Sequence, residues 1–432
     1  MGEGDWSARP AVWAGVECSR LRVRRRVVDQ LELTGHAGQA GQMELLADLG
    51  AAAVRYPVLW ERVAPHGLRQ ADWSWTDERL GMLRSFGIRP IAGLLHHGGG
   101  PRGMSILHPG FPAAFGRFAG AVARRYPWID AYLPINEPLT TARFSGLYGR
   151  WQPHGRSAAV FAQLILAQCL AIRAAADAIR AVQPGASLIV NEDVGRTFST
   201  DLLAGQAAFV NERRWLTWDL LLGRVDRQHP MFTHLATGPE RRRELADLVD
   251  RPCPPDLLGI DHYVTSDRYL DDRVGRAPEL ARVQPDGDRY VDIDAVRIPG
   301  LPVAGIRAAI ADTWQRYGRP MILAEVSLAG GAMDQVAWWW EAWEAASTAR
   351  TAGIPIEAVT AWAVFGATDW HSTLTTADGR YEPGCFDVRM SPPTLRPVGR
   401  AVQAAATGRG STGPRLAGWW QTDDRFIRLG AA

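Results

Sequence analysis

The sequence contains no lysine, since all 48 of its basic residues are arginine. Schiff-base aldolases and pyridoxal-phosphate enzymes need a lysine amine for their covalent chemistry, and Walker-type ATPases need one to bind phosphate. The missing lysine therefore excludes these three enzyme classes.

Cysteine is scarce as well. Four cysteines, Cys18, Cys169, Cys253 and Cys385, are widely spaced and form no CxxC pair. This spacing fits neither a zinc site nor a disulfide framework, and it favours reduced thiols in a cytoplasmic protein.

The first residues are charged and lack an apolar segment of signal-peptide length. No run of about 18 apolar residues is seen, so we expect no membrane span.

Neither sign of charge is in excess, because 48 basic residues stand against 46 acidic ones for a net charge of +2. Nucleic acids and anionic membranes select proteins with a basic face, so neither is expected as a partner. Hydrophobic residues make up 47% of the chain, which is ordinary for a globular protein. The oligomeric state is left open.

Short apolar runs alternate with longer segments of helical periodicity along the whole chain. The predicted strands are 12–17, 52–56, 89–95, 131–135, 187–191, 257–261, 320–324 and 358–364. The clearest predicted helices are 42–49, 75–85, 111–126, 158–181, 305–317 and 336–351. This alternation predicts an α/β fold, a single-domain (β/α)8 TIM barrel. A doubly wound open sheet is disfavoured, because no GxGxxG motif follows the first strand.

We place the barrel domain at residues 1–407 and a C-terminal tail, either docked or flexible, at 408–432. Residues 265–300 are polar and lack periodicity, which predicts a long loop after strand six. In such barrels, the loops after the strands carry the chemistry.

Two predicted strands end in a glutamate. The stretch YLPINEPL (132–139) places Glu137 after strand four, and MILAEV (321–326) places Glu325 at the end of strand seven. A closed barrel brings the carboxyl ends of its strands to one rim, so both carboxylates should face one pocket. Glycoside hydrolysis uses a carboxyl pair of this kind, one protonated and one ionised.

Six segments extend this pattern along nearly the whole chain. They are VRYPVLWERVAP (54–65), GLLHH (93–97), INEP (135–138), LGIDHY (258–263), ILAEVSLAG (322–330) and WAVFGATDW (362–370). In order and position they resemble the motifs of the family 1 glycoside hydrolases, the β-glucosidase family. The resemblance implies a β-glucosidase-like retaining β-glycosidase that acts on a small β-glycoside.

The resemblance also implies a role for each matched residue. Glu137 corresponds to the acid/base and Glu325 to the nucleophile. Arg55 and Tyr263 match the residues that hold the nucleophile, and Asn136 matches the one that binds the sugar 2-hydroxyl. The implied sugar-binding residues are Glu17, His96, Trp362, Asp369 and Trp370.

Four departures from the family pattern fall around the sugar. Glu17 stands where the family has Gln, Asp369 where it has Glu, and Asp261 where it has Asn. HHGGGPRG (96–103) replaces the family's His-Trp-Asp-Leu-Pro. The catalytic pair is therefore better specified than the identity of the sugar.

Two other functions remain open: a transglycosidase with the same carboxylate pair, and a catalytically weak sugar-binding barrel. The resemblance implies no metal and no cofactor. A metal-dependent hydrolase barrel is disfavoured, because no HxH motif follows strand one and no lysine is available to bridge two metals.

Overall fold

Eight parallel strands close into a barrel. The structure is a computed structural model that describes residues 9–277, 281–283, 289–303, 305–408 and 416–427. Strands β1 to β8 are Ala11–Gly15, Ala53–Pro57, Arg89–His96, Ala131–Asn136, Ser187–Asp193, Leu257–Asp261, Met321–Val326 and Ile356–Ala361. Each pairs with the next along the chain, and β8 pairs with β1, so the sheet has no open edge. The predicted (β/α)8 barrel is confirmed.

A helix on the outside of the barrel completes each unit. Helices α1 to α8 are Gln42–Asp48, Ser74–Ser85, Phe111–Arg125, Ala158–Arg180, Pro239–Asp250, Gly305–Tyr317, Ala332–Thr351 and Pro397–Ala406. Shorter helices in the loops are Gln30–Leu33, Trp60–Val63, Pro138–Ala142, Ala204–Arg213, Leu216–Leu221 and Phe232–Leu235. The sequence pattern missed α5 because it is mostly polar and buries only Leu245 and Leu248.

The strands are buried on both faces, which explains why they read as continuous apolar runs. Apolar side chains including Trp13, Ile91, Leu133, Ile189 and Ile322 fill the inside of the barrel. This packing leaves the rim at the carboxyl ends of the strands as the place where polar side chains converge.

Most strand ends differ by one or two residues from the sequence-based prediction, and three of the differences bear on the site. β5 continues to Asp193, two residues beyond the predicted end. β7 runs through Glu325 to Val326, so this glutamate lies within the strand. β8 ends at Ala361, which places Trp362 on the following loop.

The prediction that 265–300 is a plain loop is wrong. Arg268–Asp271 pairs with Arg289–Asp294, and the strands Thr197–Ser199 and Ala281–Val283 complete a four-stranded sheet. Arg268 joins the central pair by ion pairs to Asp292 and Asp294. The paired charges explain why a polar segment still forms strands.

Three further strand pairs lie outside the barrel and the four-stranded sheet. They are Arg20–Val23 with Arg26–Asp29, Ala367–Thr368 with Tyr381–Glu382, and Phe386–Asp387 with Thr394–Leu395. All of them lie in loops, and the first and second border the rim that carries the polar residues.

Helix α4 is long and apolar enough to cross a membrane, judged by length and composition alone, with a mean hydropathy of 1.7 over its most apolar window. The expectation that the chain has no membrane span stays a prediction. In the fold, 61% of that window is buried inside the protein. Burial against α3 and the barrel accounts for the apolar composition of α4.

The described part of the C-terminal tail contacts α7. The indole Nε1 of Trp420 donates to Glu341 at 2.9 Å, and the backbone N–H of Trp419 donates to Asp334 at 3.1 Å. Trp420 also packs edge-on against Trp338, with ring centres 5.7 Å apart. Residues 409–415 and 428–432 lie outside the described residues.

Close packing of α3 on α4 predicts opposite outcomes for two glycine substitutions. A Cβ added at Gly116 in α3 would lie 2.9 Å from the carbonyl oxygen of Ala174, whereas one added at Gly81 in α2 meets nothing within 4 Å. Gly116→Ala should lower the free energy of unfolding by about 1–3 kcal/mol through overpacking. Gly81→Ala should raise it by about 0.5–1 kcal/mol through helix propensity. Urea unfolding of both variants tests this, and equal effects would contradict it.

Candidate active site

Three carboxyl groups meet at the rim of the barrel. Glu137 follows β4, Asp261 ends β6 and Glu325 lies near the end of β7. One oxygen of each lies within 4.8 Å of the others, and the three residues are 6%, 0% and 4% exposed. The fold therefore brings together the two glutamates that the sequence places 188 residues apart, and it adds an aspartate between them.

Glu325 is held by two donors. Arg55 Nη1 donates to one carboxylate oxygen at 3.1 Å, and the Tyr263 hydroxyl donates to the other at 2.5 Å. Burial raises the pKa of Glu325, while the Arg55 charge and the Tyr263 hydrogen bond lower it. Burial and the Glu325 charge raise the pKa of Tyr263 well above its usual value, which keeps this hydroxyl protonated as a donor.

Glu137 has a different environment. Its backbone is left-handed, with φ of +39°, and Pro138 begins the next short helix. His97 Nε2 lies 3.8 Å from its carboxylate, and its carboxyl group shares a hydrogen bond with Asp261. Burial, followed by the charges of Asp261 and Glu325, raises the pKa of Glu137 well above its usual value. Glu137 is thus the group that keeps its proton when Glu325 ionises.

Asp261 is the third carboxyl group. Asn191 Nδ2 donates to its Oδ2, and its carboxyl group shares a hydrogen bond with Glu137. Burial and the charge of Glu325 raise the pKa of Asp261 well above its usual value, against a lowering effect of Arg55. Three close carboxyl groups cannot all ionise next to one arginine, so Asp261 and Glu137 titrate as a pair.

Two amides link the strands below the carboxyl groups. Asn136 Oδ1 accepts from Arg55 Nη2 at 2.8 Å and from Asn191 Nδ2 at 2.7 Å. Asn136 Nδ2 lies 3.1 Å from His96 Nε2 and 3.5 Å from His97 Nε2. This network fixes the amide of Asn136 on the floor of the site.

Both histidines are buried and neutral. Burial, then His97 and Arg55, lowers the pKa of His96 well below its usual value, and burial lowers that of His97 to about 3. A neutral His96 with its hydrogen on Nδ1 accepts from Asn136 and faces the Cys18 sulfur at 3.4 Å.

Trp362 covers one side of this floor. Its ring stacks on His96 with centres 5.7 Å apart, and the guanidinium of Arg55 lies 4.3 Å from its centre. A Cβ at Gly15, the last residue of β1, would lie 2.3 Å from the ring. Only glycine at this position leaves room for the indole.

Glu17 and Trp370 lie at the edge of the site. Burial raises the pKa of Glu17 to about 7, partly offset by hydrogen bonding from Ser19, and Glu325 raises it further. Trp370 packs near His97, with ring centres 5.9 Å apart, and its hydrogen bond to Glu17 lowers the pKa of that carboxyl group. Glu17 and Trp370 are thus linked to each other at the edge of the site.

Asp369 is held by its own loop. Its backbone is left-handed, with φ of +62°, and its carboxylate accepts from the backbone N–H of Arg380 at 2.9 Å. Contact between Asp369 and a sugar stays a prediction.

The sequence analysis missed the end of β5. Asn191 joins Asn136 to Asp261, Glu192 accepts from the N–H of Leu139 at 2.6 Å, and Asp193 raises the pKa of Glu137. The signal was the NED triplet at 191–193, which ends a strand just as Glu137 follows one. The predicted strand stopped at residue 191, so the triplet was not recognised.

Two groups of described residues have ligand atoms close enough for a metal ion. In the buried group, Arg55 already supplies the positive charge and occupies Glu325 together with Tyr263. The more exposed group is Asp369, His371 and Asp378, in which His371 pairs with Asp378 at 2.9 Å. Neither set therefore points to a metal.

No family model and no curated protein matches the chain in sequence. Solved structures do match it in shape. The family 1 β-glucosidase from Thermotoga maritima aligns over 93% of this chain and 99% of its own, with 14% identity and a TM-score of 0.70. The same enzyme in complex with an N-octyl calystegine derivative covers 95% and 100%, with 14% identity and a TM-score of 0.72. The AHE enzyme from Alicyclobacillus herbarius covers 87% and 88%, with 17% identity and a TM-score of 0.69.

The chain has the fold of the family 1 β-glucosidases. The alignment spans nearly all of both chains. The resemblance in sequence motifs and the likeness in structure thus point to one β-glucosidase-like barrel.

Glu192 makes stability depend on pH. Burial raises its pKa to about 8, against an unfolded value of about 4.3, so the folded state holds a proton that the unfolded state has lost. This contribution is complete below pH 4 and is lost as the pH rises through 8. Gln has no charge to bury, so the free energy of unfolding of Glu192→Gln should not fall in this way. Relative to wild type, it should rise by on the order of 3 kcal/mol between pH 5 and pH 9.

Urea unfolding at both pH values measures this difference. Glu240→Gln, at a side chain that is 81% exposed, is the matched control and should follow wild type. Parallel pH dependence of wild type and Glu192→Gln would contradict the assignment.

Proposed function

We propose that the protein is a retaining β-glycosidase that hydrolyses a small β-glycoside through a covalent glycosyl-enzyme intermediate. The observation that carries this proposal is the carboxyl pair of Glu137 and Glu325, with oxygens within 4.8 Å and unlike environments. Retaining enzymes hold their two carboxyl groups roughly 5–5.5 Å apart, whereas inverting enzymes need roughly 6.5–9.5 Å to admit a water. The separation favours retention.

In the first step, Glu325 attacks the anomeric carbon and the bond to the leaving oxygen breaks. Glu137 gives its proton to that oxygen as the bond breaks. The environments fit these roles, because two donors hold Glu325 as an aimed carboxylate and burial among negative charges keeps the proton on Glu137. Arg55 is rigid here, since it also donates to the carbonyl of Ala324 at 2.7 Å.

In the second step, the ionised Glu137 takes a proton from water, and the water oxygen attacks the anomeric carbon. Glu325 leaves as a carboxylate, and Arg55 with Tyr263 stabilises the returning charge. Asn136, fixed by its amide network, lies beside both glutamates where a sugar 2-hydroxyl would be bound. Trp362 offers an apolar ring face to the sugar.

A small-molecule substrate agrees with the structural neighbours. The Thermotoga maritima β-glucosidase is in complex with noeuromycin in one solved structure and with cyclophellitol in another. We propose Glu17, His96, Asp369 and Trp370 as further sugar-binding residues. We also propose a cytoplasmic location, on the ground that all four cysteines are free and buried.

The central test uses a panel of aryl β-glycosides with wild type, Glu325→Gln and Glu137→Gln. Release of the phenol should fall at least about a thousandfold in Glu325→Gln, because the nucleophile is lost. Glu137→Gln should lose less on substrates whose leaving group is acidic and needs no proton. A 2-deoxy-2-fluoro glycoside should leave a glycosyl adduct on Glu325, located by peptide mass spectrometry.

Equal release by wild type and both variants would mean that the assigned pair is wrong. Binding of glycosides without release or adduct would instead favour the sugar-binding barrel.

Asp261 should set the upper end of the pH range for activity. Its charge raises the pKa of Glu137, so Asp261→Asn lowers that pKa and the acid loses its proton at lower pH. The basic limb of the kcat/KM profile should then shift down by about one pH unit or more.

Asp193→Asn is the matched control, because Asp193 raises the same pKa less strongly. It should shift the basic limb by a smaller amount. An unchanged limb in Asp261→Asn would show that the two groups do not share a proton.

A further inference from the structure

A cleft of about 890 Å³ opens beside the acid/base glutamate. Leu139, two residues after Glu137, lies on its wall, and so does Asp193, whose charge acts on the pKa of Glu137. In the proposed reaction Glu137 protonates the leaving oxygen, so a space on its side of the site receives the leaving group.

Arginine dominates the walls of this cleft. Its charged lining residues are Arg143, Arg150, Arg213, Arg214, Arg268 and Arg297, against Asp193, Asp292 and Asp294. Arg268 pairs with Asp292 and Asp294, and Arg297 also pairs with Asp294. Arg214 pairs with Asp312. The aspartates of the small sheet are thus already engaged.

Arg143 and Arg213 differ from the others. Neither has a carboxylate within 4.0 Å in the part of the chain that the structure describes. Arg143 Nη2 donates to Thr140 at 3.0 Å, while its Nε is buried without a partner. Arg213, which is 8% exposed, donates to the Tyr148 hydroxyl at 3.4 Å. The charges of Asp193, Glu192 and Glu137 act on Arg143 from farther away. No carboxylate of the described residues, however, accepts a hydrogen bond from Arg143 or Arg213, which leaves both guanidinium groups able to bind an anion.

Both arginines interact with Tyr148. Arg213 donates to the Tyr148 hydroxyl at 3.4 Å, and Tyr148 also interacts electrostatically with Arg143. Phe144, Tyr148 and Tyr290 line the cleft with aromatic rings. Phe144 and Tyr148 lie against each other with centres 5.8 Å apart. Together they offer an apolar surface next to a pair of cations.

We propose that this cleft binds a leaving group with an aromatic ring and an anion, with Arg143 and Arg213 as the residues that recognise the anion. The proposal rests on the retaining-glycosidase function, because it assigns the cleft to the leaving group of that reaction. The proposed substrates are β-glycosides of phenols that carry a carboxylate, such as a hydroxybenzoate.

The test compares 4-carboxyphenyl and 4-carbamoylphenyl β-glycosides of one sugar, which differ in charge and little in size. Wild type should favour the carboxylate in kcat/KM by about tenfold or more, as expected for a hydrogen-bonded charge. Arg143→Gln and Arg213→Gln should each reduce this ratio toward one. The lysine variants at both positions should keep most of it, because the charge remains.

Arg297→Gln is the matched control. Arg297 lines the same cleft but is paired with Asp294 at 3.1 Å, so the ratio should stay at the wild-type value. Equal kcat/KM for the two glycosides in wild type would overturn the proposal and leave the glycosidase function intact.

Binding of the free phenols separates the two hypotheses. Calorimetry with 4-hydroxybenzoate and 4-hydroxybenzamide needs no turnover, and wild type should bind the anion more tightly by about tenfold. Anion binding that is lost in Arg143→Gln supports the cleft even if no glycoside is hydrolysed. Equal binding of both phenols would refute it.

Discussion

One buried guanidinium organises the whole rim. Arg55 donates to the carbonyl of Ala324, to the carboxylate of Glu325 and to the amide of Asn136, and it lies under the ring of Trp362. These contacts come from strands β2, β4 and β7 and from the loop after β8, so a single side chain sets their spacing. Without this charge, burial would favour the protonated form of Glu325. The charge of Arg55 also lowers the pKa of Asp261, so it acts on more than one carboxyl group of the site.

The charge balance around Arg55 explains how one pocket can hold both the proposed acid and the proposed nucleophile. One cation neutralises one anion, and the further carboxyl groups of Glu137 and Asp261 then raise each other's pKa. Asp261 stands where the motif of the resembled family has asparagine, and it adds a third carboxyl group to the site.

Much of the fold could be predicted from the sequence, because buried parallel strands are apolar runs between amphipathic helices. Strand β6, Leu257–Asp261, has the predicted bounds, and the strand-end rule located Glu137 and Glu325 at one rim. The sheet formed within 265–300 could not be predicted, since its strands are stabilised by ion pairs between residues distant along the chain. The amide bridge from Asn191 depends on side-chain orientation, which no spacing reveals. The polar helix α5 lacks the apolar periodicity on which prediction depends.

The stereochemistry of the released sugar tests the central claim most directly. Proton NMR during the first minutes of hydrolysis distinguishes the anomer formed by the enzyme from the one that appears later by mutarotation. The account predicts that the β-anomer appears first, because Glu325 and then water each invert the anomeric centre once. First appearance of the α-anomer would mean a single displacement by water, and the roles assigned to Glu137 and Glu325 would be wrong.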